Sequence, residues 1–368
     1  MSGRIVLFGA TGYTGELTAR ALVDRGVRPV LAARRRDALE ALAARLGGLE
    51  TRVADVAQPA TLRGLVERGD VLISTVGPFA RLGEPVVLAA IDAGAHYLDS
   101  TGESVFIRAV FERHGPAAAA AGCGLLTAFG YDWVPGNLAG ALALRDAGER
   151  ATRVETGYFV TGDSRAAVAS GGTRASALGI LLAPAHALRG GRLVTEPTAR
   201  RVRDFDLGRR RAAAVSVGGS EPLALPRIAP GLRDVGVYLG VPGAPARAAQ
   251  ALGLGTSVLG RLPAARAGLG ALLRPLAPGS TGGPDAGARA RVGALVVAEA
   301  FDARGTRLGG VRLSGVNPYD FTAAILAWGA QTAAADGLRG TGALGPVDGF
   351  GLDELERGCT RAGMARDT

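Results

Sequence analysis

The chain contains no lysine. All 42 of its basic side chains are arginine, set against 33 acidic ones, for a formal net charge of +9 over 368 residues. With Ala and Gly so abundant beside Arg, this reads as a compositional bias of the source and not as the mark of a polyanion partner. The arginines are scattered, aromatic residues are only 5%, and no nucleic-acid motif occurs, so no nucleic-acid partner is expected. Two cysteines, Cys123 and Cys359, cannot build a disulfide framework or a metal site. The three histidines, His96, His114 and His186, lack ligand spacing, and no metal is expected. No apolar run approaches the ~18 residues that a membrane-spanning helix needs. The N-terminus runs directly into a strand-like segment, so no signal peptide and a cytoplasmic location are expected. What is present is apolar: 48% of residues are hydrophobic, enough for a substantial core and against disorder. The length suits two domains better than one.

The most informative stretch is Arg4–Gly15, RIVLFGATGYTG. Ile5 to Phe8 suit a buried strand, and ELTARALVDRG after Gly15 has helical spacing. Between them lie Gly9, Gly12 and Gly15. A strand, a glycine turn and a helix open a dinucleotide-binding domain, in which backbone must approach a pyrophosphate closely and the helix N-terminus favours its charge. The spacing is G-x-x-G-x-x-G and not G-x-G-x-x-G; its placement between strand and helix carries the assignment. A tight turn without ligand is the alternative. On this reading Gly9, Thr11, Gly12, Tyr13, Thr14 and Gly15 contact the cofactor.

The second strand, Val27 to Ala33, runs into Arg34-Arg35-Arg36. A carboxylate at that place would take the ribose 2′-hydroxyl of NAD. Guanidinium groups bind a 2′-phosphate instead, so Arg34 and Arg35 point to NADP; a solvated basic turn is the alternative. A third strand, Thr51 to Val56, brings Asp55 toward the adenine. A helix is expected over Pro59 to Glu67. The fourth strand, Asp70 to Val76, leads through Thr75 and Val76 into Gly77-Pro78, a bend that carries the chain across the cofactor crevice. A helix over Pro85 to Ala93, a strand over His96 to Asp99, a helical stretch from Val105 to Ala121 broken at Gly115-Pro116, and a strand over Leu125 to Phe129 complete the series. This alternation implies a doubly wound parallel (Rossmann) sheet. After about Ala151 the pattern changes to that of an inserted mixed α/β domain. A hairpin is expected around Ala303-Arg304-Gly305, and helices over Phe321 to Ala335 and Asp353 to Ala362. The expected spans are 1–150, 151–314 and 315–368.

The patches VLFGATGYTG, ARR, STVGPF, YLDSTGE, GYDWVPGN and SGGT, in this order, resemble the saccharopine dehydrogenase-like family, with NPYDFTAA and GALGPVDGFG as looser matches. The chain is most similar to the bacterial trans-acting enoyl reductase branch, on SGGT at 170–173 and GGPDAGARAR at 282–291. The resemblance implies an NAD(P)-binding domain, a substrate domain inserted after the sixth strand, and a C-terminal segment packing back on the first domain. It implies reduction of imines formed from amino acids, or of conjugated C=C bonds on polyketide-type chains. Three departures matter. Lysine-pathway members use a lysine in acid–base chemistry, and there is none here. Where related chains often read Ser-Val-Pro-Ser-Asp, this one reads Trp133-Val134-Pro135-Gly136-Asn137, which alters the pocket wall at Trp133 and removes an acid at Asn137. NPYDFTAA is poorer in glycine than the family form. A bulky or flat substrate is therefore favoured over an amino acid.

Hydride transfer from a nicotinamide leaves the protein to supply placement and a proton donor. Tyr131 is the best donor candidate; its neighbour Asp132 orients substrate or caps the following helix. Thr173 and Trp133 are candidate substrate contacts. Tyr97, Asp99 and Glu103 flank the fifth strand, with core packing and capping as their alternative roles. His114 is expected on a solvent face. Two classes of function remain open: an NADP(H)-dependent reductase of C=C or C=N bonds acting on a small-molecule or polyketide-type substrate, and a non-catalytic cofactor-binding protein. Peripheral membrane contact through Ala248 to Leu276 is less favoured than a buried wall, and a homodimer is left open.

Overall fold

The computed structural model describes residues 3–163, 184–208, 210–240 and 282–367. The chain divides into two compact units, both discontinuous: residues 1–101, 106–134 and 318–363 form the first, and 102–105, 135–317 and 364–368 the second. The crossover after the sixth strand groups with the second unit from residue 135.

In the first unit the chain runs β1 (Ile5–Phe8), α1 (Tyr13–Asp24), β2 (Val30–Ala33), α2 (Arg36–Arg45), β3 (Thr51–Val53), β4 (Val71–Ser74), α3 (Phe79–Leu82), α4 (Glu84–Ala93), β5 (His96–Asp99), α5 (Ser104–Ala109), α6 (Gly115–Ala121) and β6 (Gly124–Leu126). β1, β2 and β4 are buried at every position, the mark of parallel strands covered on both faces. Strand order is β15-β6-β5-β4-β1-β2-β3, where β15 is Gly342–Ala343 near the C-terminus. All pairs are parallel. Val6, Phe8, Leu72, Tyr97 and Leu125 pack on one side with Val86, Val87, Ala90 and Ile91 of α4. The alternate residues of the strands point to the other face, where α10 (Pro318–Asp336) packs on α1, β1, β4 and β5. Phe321, Ile325, Leu326, Trp328 and Ala330 of α10 are all buried, as a helix enclosed on most sides requires. α11 (Pro346–Phe350) and α12 (Leu352–Arg361) complete this unit.

Three local expectations change. Pro59 to Glu67 forms only a short 3-10 turn, Pro59–Thr61. Asp55 Oδ1 draws in the Ala57 N–H and Gly64 turns left-handed at φ +78°, so the helix does not propagate. β6 stops at Leu126 because Ala128, at φ +59°, turns the chain out of the sheet. His114 is 7% exposed and not on a solvent face.

The second unit takes α7 (Val134–Ala147) and then β7 (Arg153–Gly162), β8 (Ala185–Arg189), β9 (Arg192–Glu196), β10 (Val202–Asp206), β11 (Arg211–Val217), α8 (Glu221–Ile228), β12 (Asp234–Gly240), α9 (Ala286–Ala290), β13 (Val292–Phe301), β14 (Arg307–Gly315) and β16 (Met364–Arg366). Its mixed sheet has the order β10-β11-β12-β7-β13-β14-β16, with the β8–β9 hairpin on β12. β7 and β13 pair antiparallel from Val292↔Gly162 to Phe301↔Arg153. The β13–β14 hairpin turns on Asp302, whose Oδ1 accepts from Arg304 N (2.9 Å) and Thr306 N (2.8 Å). Phe159, Phe205, Tyr238, Leu295 and Val297 cluster on one face. Arg203 beside them pairs with Glu155 and Glu299.

Candidate functional site

The first unit's strand order reverses between β1 and β4, and the loops at the carboxyl ends of these strands open a crevice there. The glycine turn fills one side of it. Gly9 leaves β1 at φ +89°, its N–H bonded to Ala32 O at 2.8 Å. A Cβ on Gly9 would stand 2.7 Å from Thr75 Oγ1, and one on Gly15 only 2.2 Å from Gly9 O. The turn itself therefore demands these two glycines. Gly12 differs: its φ is −83°, and a Cβ there would meet only Gly9 O, at 3.3 Å. It is the N-cap of α1, and no side chain caps that helix. The backbone approach left open above the N-terminus of α1 is a cradle that a side chain at Gly12 would fill, and it fits a pyrophosphate.

Thr11, Tyr13 and Thr14 are half-buried around this turn. The Tyr13 ring meets that of Tyr319 edge-on, at 5.1 Å between centroids. On the opposite side Thr75 is tied to β1: its N–H donates to Phe8 O at 3.0 Å, and its hydroxyl lies 3.2 Å from Gly9 O. Val76 and Pro78 are half-buried, Gly77 is exposed, and the Gly77–Pro78 peptide is cis.

At the end of β2, Ala33 is buried and Arg34 and Arg35 are exposed. Neither guanidinium forms a hydrogen bond or ion pair with a described residue, whereas Arg36 pairs with Glu40 at 3.4 Å. Arg35 is the N-cap of α2, again without a side-chain cap. Two unpaired cations at an uncapped helix start, with no carboxylate at the strand end, fit a phosphate at this place. Asp55 stands half-buried beyond β3, its Oδ1 committed to the Ala57 N–H at 2.9 Å.

At the ends of β5 and β6 a buried network sets the backbone. Asp99 is fully buried. Its Oδ1 accepts from Thr101 N (2.8 Å) and Ala128 N (2.9 Å), and its Oδ2 from Thr127 Oγ1 (2.8 Å). Burial pushes its pKa up to about 6. Beyond it, Tyr131 N donates to Thr322 Oγ1 of α10 at 3.0 Å. Tyr131 and Trp133 are 7% and 3% exposed, and Asp132 is half-buried. Burial, together with the Asp132 carboxylate, pushes the Tyr131 hydroxyl well up, and desolvation raises Asp132 to about 6.

The crevice thus gathers the glycine turn, Thr75–Pro78 and the Tyr131–Asp132 loop at one edge, with Arg34, Arg35 and Asp55 beyond β1 on the same edge. Thr173 and the 248–276 stretch lie outside the described residues, and Glu103 groups with the second unit. Sequence reasoning gave no site role to Tyr319 and Thr322. The proline-led start of α10 in NPYDFT was their signal, and only the packing of α10 on α1 carries it to the crevice. Among the described residues no group of three or more His, Cys, Asp or Glu could hold a metal ion, and no helix is long and apolar enough to cross a membrane.

The first unit is a dinucleotide-binding domain with the strand order of the doubly wound class. Residues 5–123 match the family described as saccharopine dehydrogenase NADP binding domain. Residues 5–123 are thus similar to the NADP-binding domain of that oxidoreductase family, in line with the resemblance in its motifs. Over 140 residues the chain is 41% identical to the trans-acting enoyl reductase of Mycobacterium leprae, covering 36% of this chain and 34% of that protein. The trans-acting enoyl reductase of Mycobacterium tuberculosis is 39% identical over the same extent. The chain matches about a third of the length of these relatives. Saccharopine dehydrogenase (L-Glu forming) from Saccharomyces cerevisiae, in its apo form, shares the fold with a TM-score of 0.60 and 15% identity, over 99% of each chain.

Proposed function

We propose that the protein is an NADP(H)-dependent reductase of a conjugated C=C bond on a bulky small-molecule or polyketide-type substrate. The observation that carries the reductase reading is the glycine cradle at the β1/β4 reversal, with Arg34 and Arg35 unpaired beyond it. The choice of C=C over C=N rests on the relatives named enoyl reductase and on the lack of any lysine in these 368 residues.

In this reading Gly9, Thr11, Gly12, Tyr13, Thr14 and Gly15 hold the pyrophosphate, Arg34 and Arg35 the 2′-phosphate, and Asp55 faces the adenine. Thr75, Val76, Gly77 and Pro78 line the far wall. NADPH, when bound, supplies the hydride. The chain's own task is to meet the charge that then develops on the substrate. Tyr131 donates a proton or hydrogen bond there, since its raised pKa keeps the hydroxyl protonated at any working pH. Asp132 orients the substrate, and Trp133 lines its pocket.

The test is NADPH oxidation with a panel of enones, enoyl thioesters and cyclic imines. Turnover of the conjugated substrates is expected; turnover of imines alone transfers the protein to imine reduction, and tight NADPH binding without turnover marks a non-catalytic cofactor binder. Tyr131→Phe keeps the ring and removes the hydroxyl, so turnover should fall by ~10²–10⁴-fold at unchanged NADPH affinity. The pH profile separates the two donors. With Tyr131 the rate holds as pH rises through about 6, where Asp132 ionises. A rate that falls through that pH, and no longer does so in Asp132→Asn, assigns the proton to Asp132.

A further inference from the structure

The loop from Thr127 to Val134 makes an unusual turn out of the sheet. Ala128 sits at φ +59°, a left-handed conformation that a non-glycine residue keeps only where its surroundings impose it. What imposes it is Asp99, on the neighbouring strand. One carboxylate oxygen takes the N–H of Ala128 together with that of Thr101, and the other takes the hydroxyl of Thr127. The main-chain carbonyl of Asp99 takes the Phe129 N–H at 2.6 Å. Three successive residues of the loop are thus bound to one buried side chain and its own backbone. From there the loop closes on itself, with Trp133 N on Ala128 O at 3.1 Å and Val134 N on Gly130 O at 3.0 Å.

We propose that Asp99 is the positioning residue of this loop: by fixing Thr127 and Ala128 it sets where Tyr131 and Asp132 stand at the crevice. The proposal rests on the reading of Tyr131 and Asp132 as the groups that meet the substrate. Asp99 itself is enclosed by its partners and touches no reactant. An apolar side chain of similar size removes three hydrogen bonds at once and frees Ala128 to leave its left-handed conformation. Asparagine keeps Oδ1 for both backbone N–H groups, and its Nδ2 can donate to Thr127 Oγ1, so the loop geometry survives.

The loop carries its own reporter. The chain has two tryptophans: Trp133 lies in the loop, and Trp328 lies in α10 against Phe350. In a Trp328→Phe background, Trp133 is the sole tryptophan emitter, and at 3% exposure it should resist acrylamide quenching. Asp99→Leu is expected to make Trp133 quenchable, to leave NADPH affinity within about twofold, and to lower turnover by roughly 10²-fold, the scale of a 1 Å misplacement. Asp99→Asn should restore protection and turnover to within a few-fold of the parent. Thr127→Val, which removes one bond, should give intermediate quenching and carries the test if Asp99→Leu does not fold. Trp133 as protected in Asp99→Leu as in the parent, or in Thr127→Val where that variant stands in, overturns the proposal. The quenching is read without substrate. A parent protein that reduces nothing on the panel defeats the reductase reading, while the role of Asp99 in the loop is still decided by Trp133.

Discussion

Gly12 is the glycine that the turn does not need for itself. Gly9 is held by its positive φ and by Thr75, and Gly15 by close overlap with the carbonyl of Gly9, whereas a Cβ at Gly12 would press on that carbonyl only at 3.3 Å. Gly12→Val should therefore retain the circular dichroism spectrum and melting temperature of the parent and lose NADPH binding by calorimetry. Gly15→Ala should lower stability as well, since its Cβ would overlap backbone. Normal NADPH binding by Gly12→Val would move the cofactor elsewhere. The three glycines look alike in the sequence; their different duties follow from φ and from neighbours sixty residues away. Arg34 and Arg35 were legible as a cationic strand end, and their lack of partners among described residues was not. Replacing both by Ala should weaken NADPH binding far more than NADH binding, because only the former presents a 2′-phosphate to a guanidinium; equal losses in titrations with the two cofactors would remove these arginines from the site.

At the scale of elements, α7 starts on a buried relay. Gly136 N donates to Tyr158 Oη at 2.8 Å, and Tyr158 Oη donates to Glu221 Oε1 at 2.7 Å. All three groups lie in the second unit, and both side chains are fully buried. Tyr158→Phe leaves the Gly136 N–H without its acceptor and takes the 2.7 Å hydroxyl donor away from Glu221 Oε1. The expected cost is ~1–3 kcal/mol, measured by urea unfolding; a midpoint shift of under about 0.5 kcal/mol would mean that neighbouring groups replace the tyrosine. Nothing in the spacing of Gly136, Tyr158 and Glu221 announces this relay. Strands and helices of the first unit, by contrast, were readable: the apolar runs IVLF, VLAA and VLIS become β1, β2 and β4. The elements that misled did so at their ends. Pro59–Thr61 fails to extend into a helix because Asp55 and Gly64 favour turns, and β6 ends early because Asp99 holds Ala128 left-handed.

For the molecule as a whole, cofactor binding should couple to stability through the first unit. A ligand that binds only the native state adds ~2.7 kcal/mol at a hundredfold excess over Kd. NADPH at that excess should raise the melting temperature by a few degrees, NADH at the same concentration by less, and the Arg34→Ala/Arg35→Ala variant should lose the difference between the two. Identical shifts with both cofactors in the parent protein would contradict the preference for NADP(H).

Local chemistry along the chain was enough to set the class of fold, since alternating apolar strands and helices leave a parallel sheet as the arrangement that buries them. It was enough also for the glycine turn and for the cofactor, because turn geometry and the sign of charge at a strand end are short-range properties. Long-range packing settled the rest. The return of residues 318–363 to the first unit places Thr322 on Tyr131 and Tyr319 on Tyr13. The burial of Asp99 turns a strand-end acid into the hub of a loop nearly thirty residues downstream. Desolvation, which depends on everything that packs around a group, lifts Asp99 and Asp132 to about 6. No stretch of sequence holds that information, because the atoms that displace the water come from distant parts of the chain.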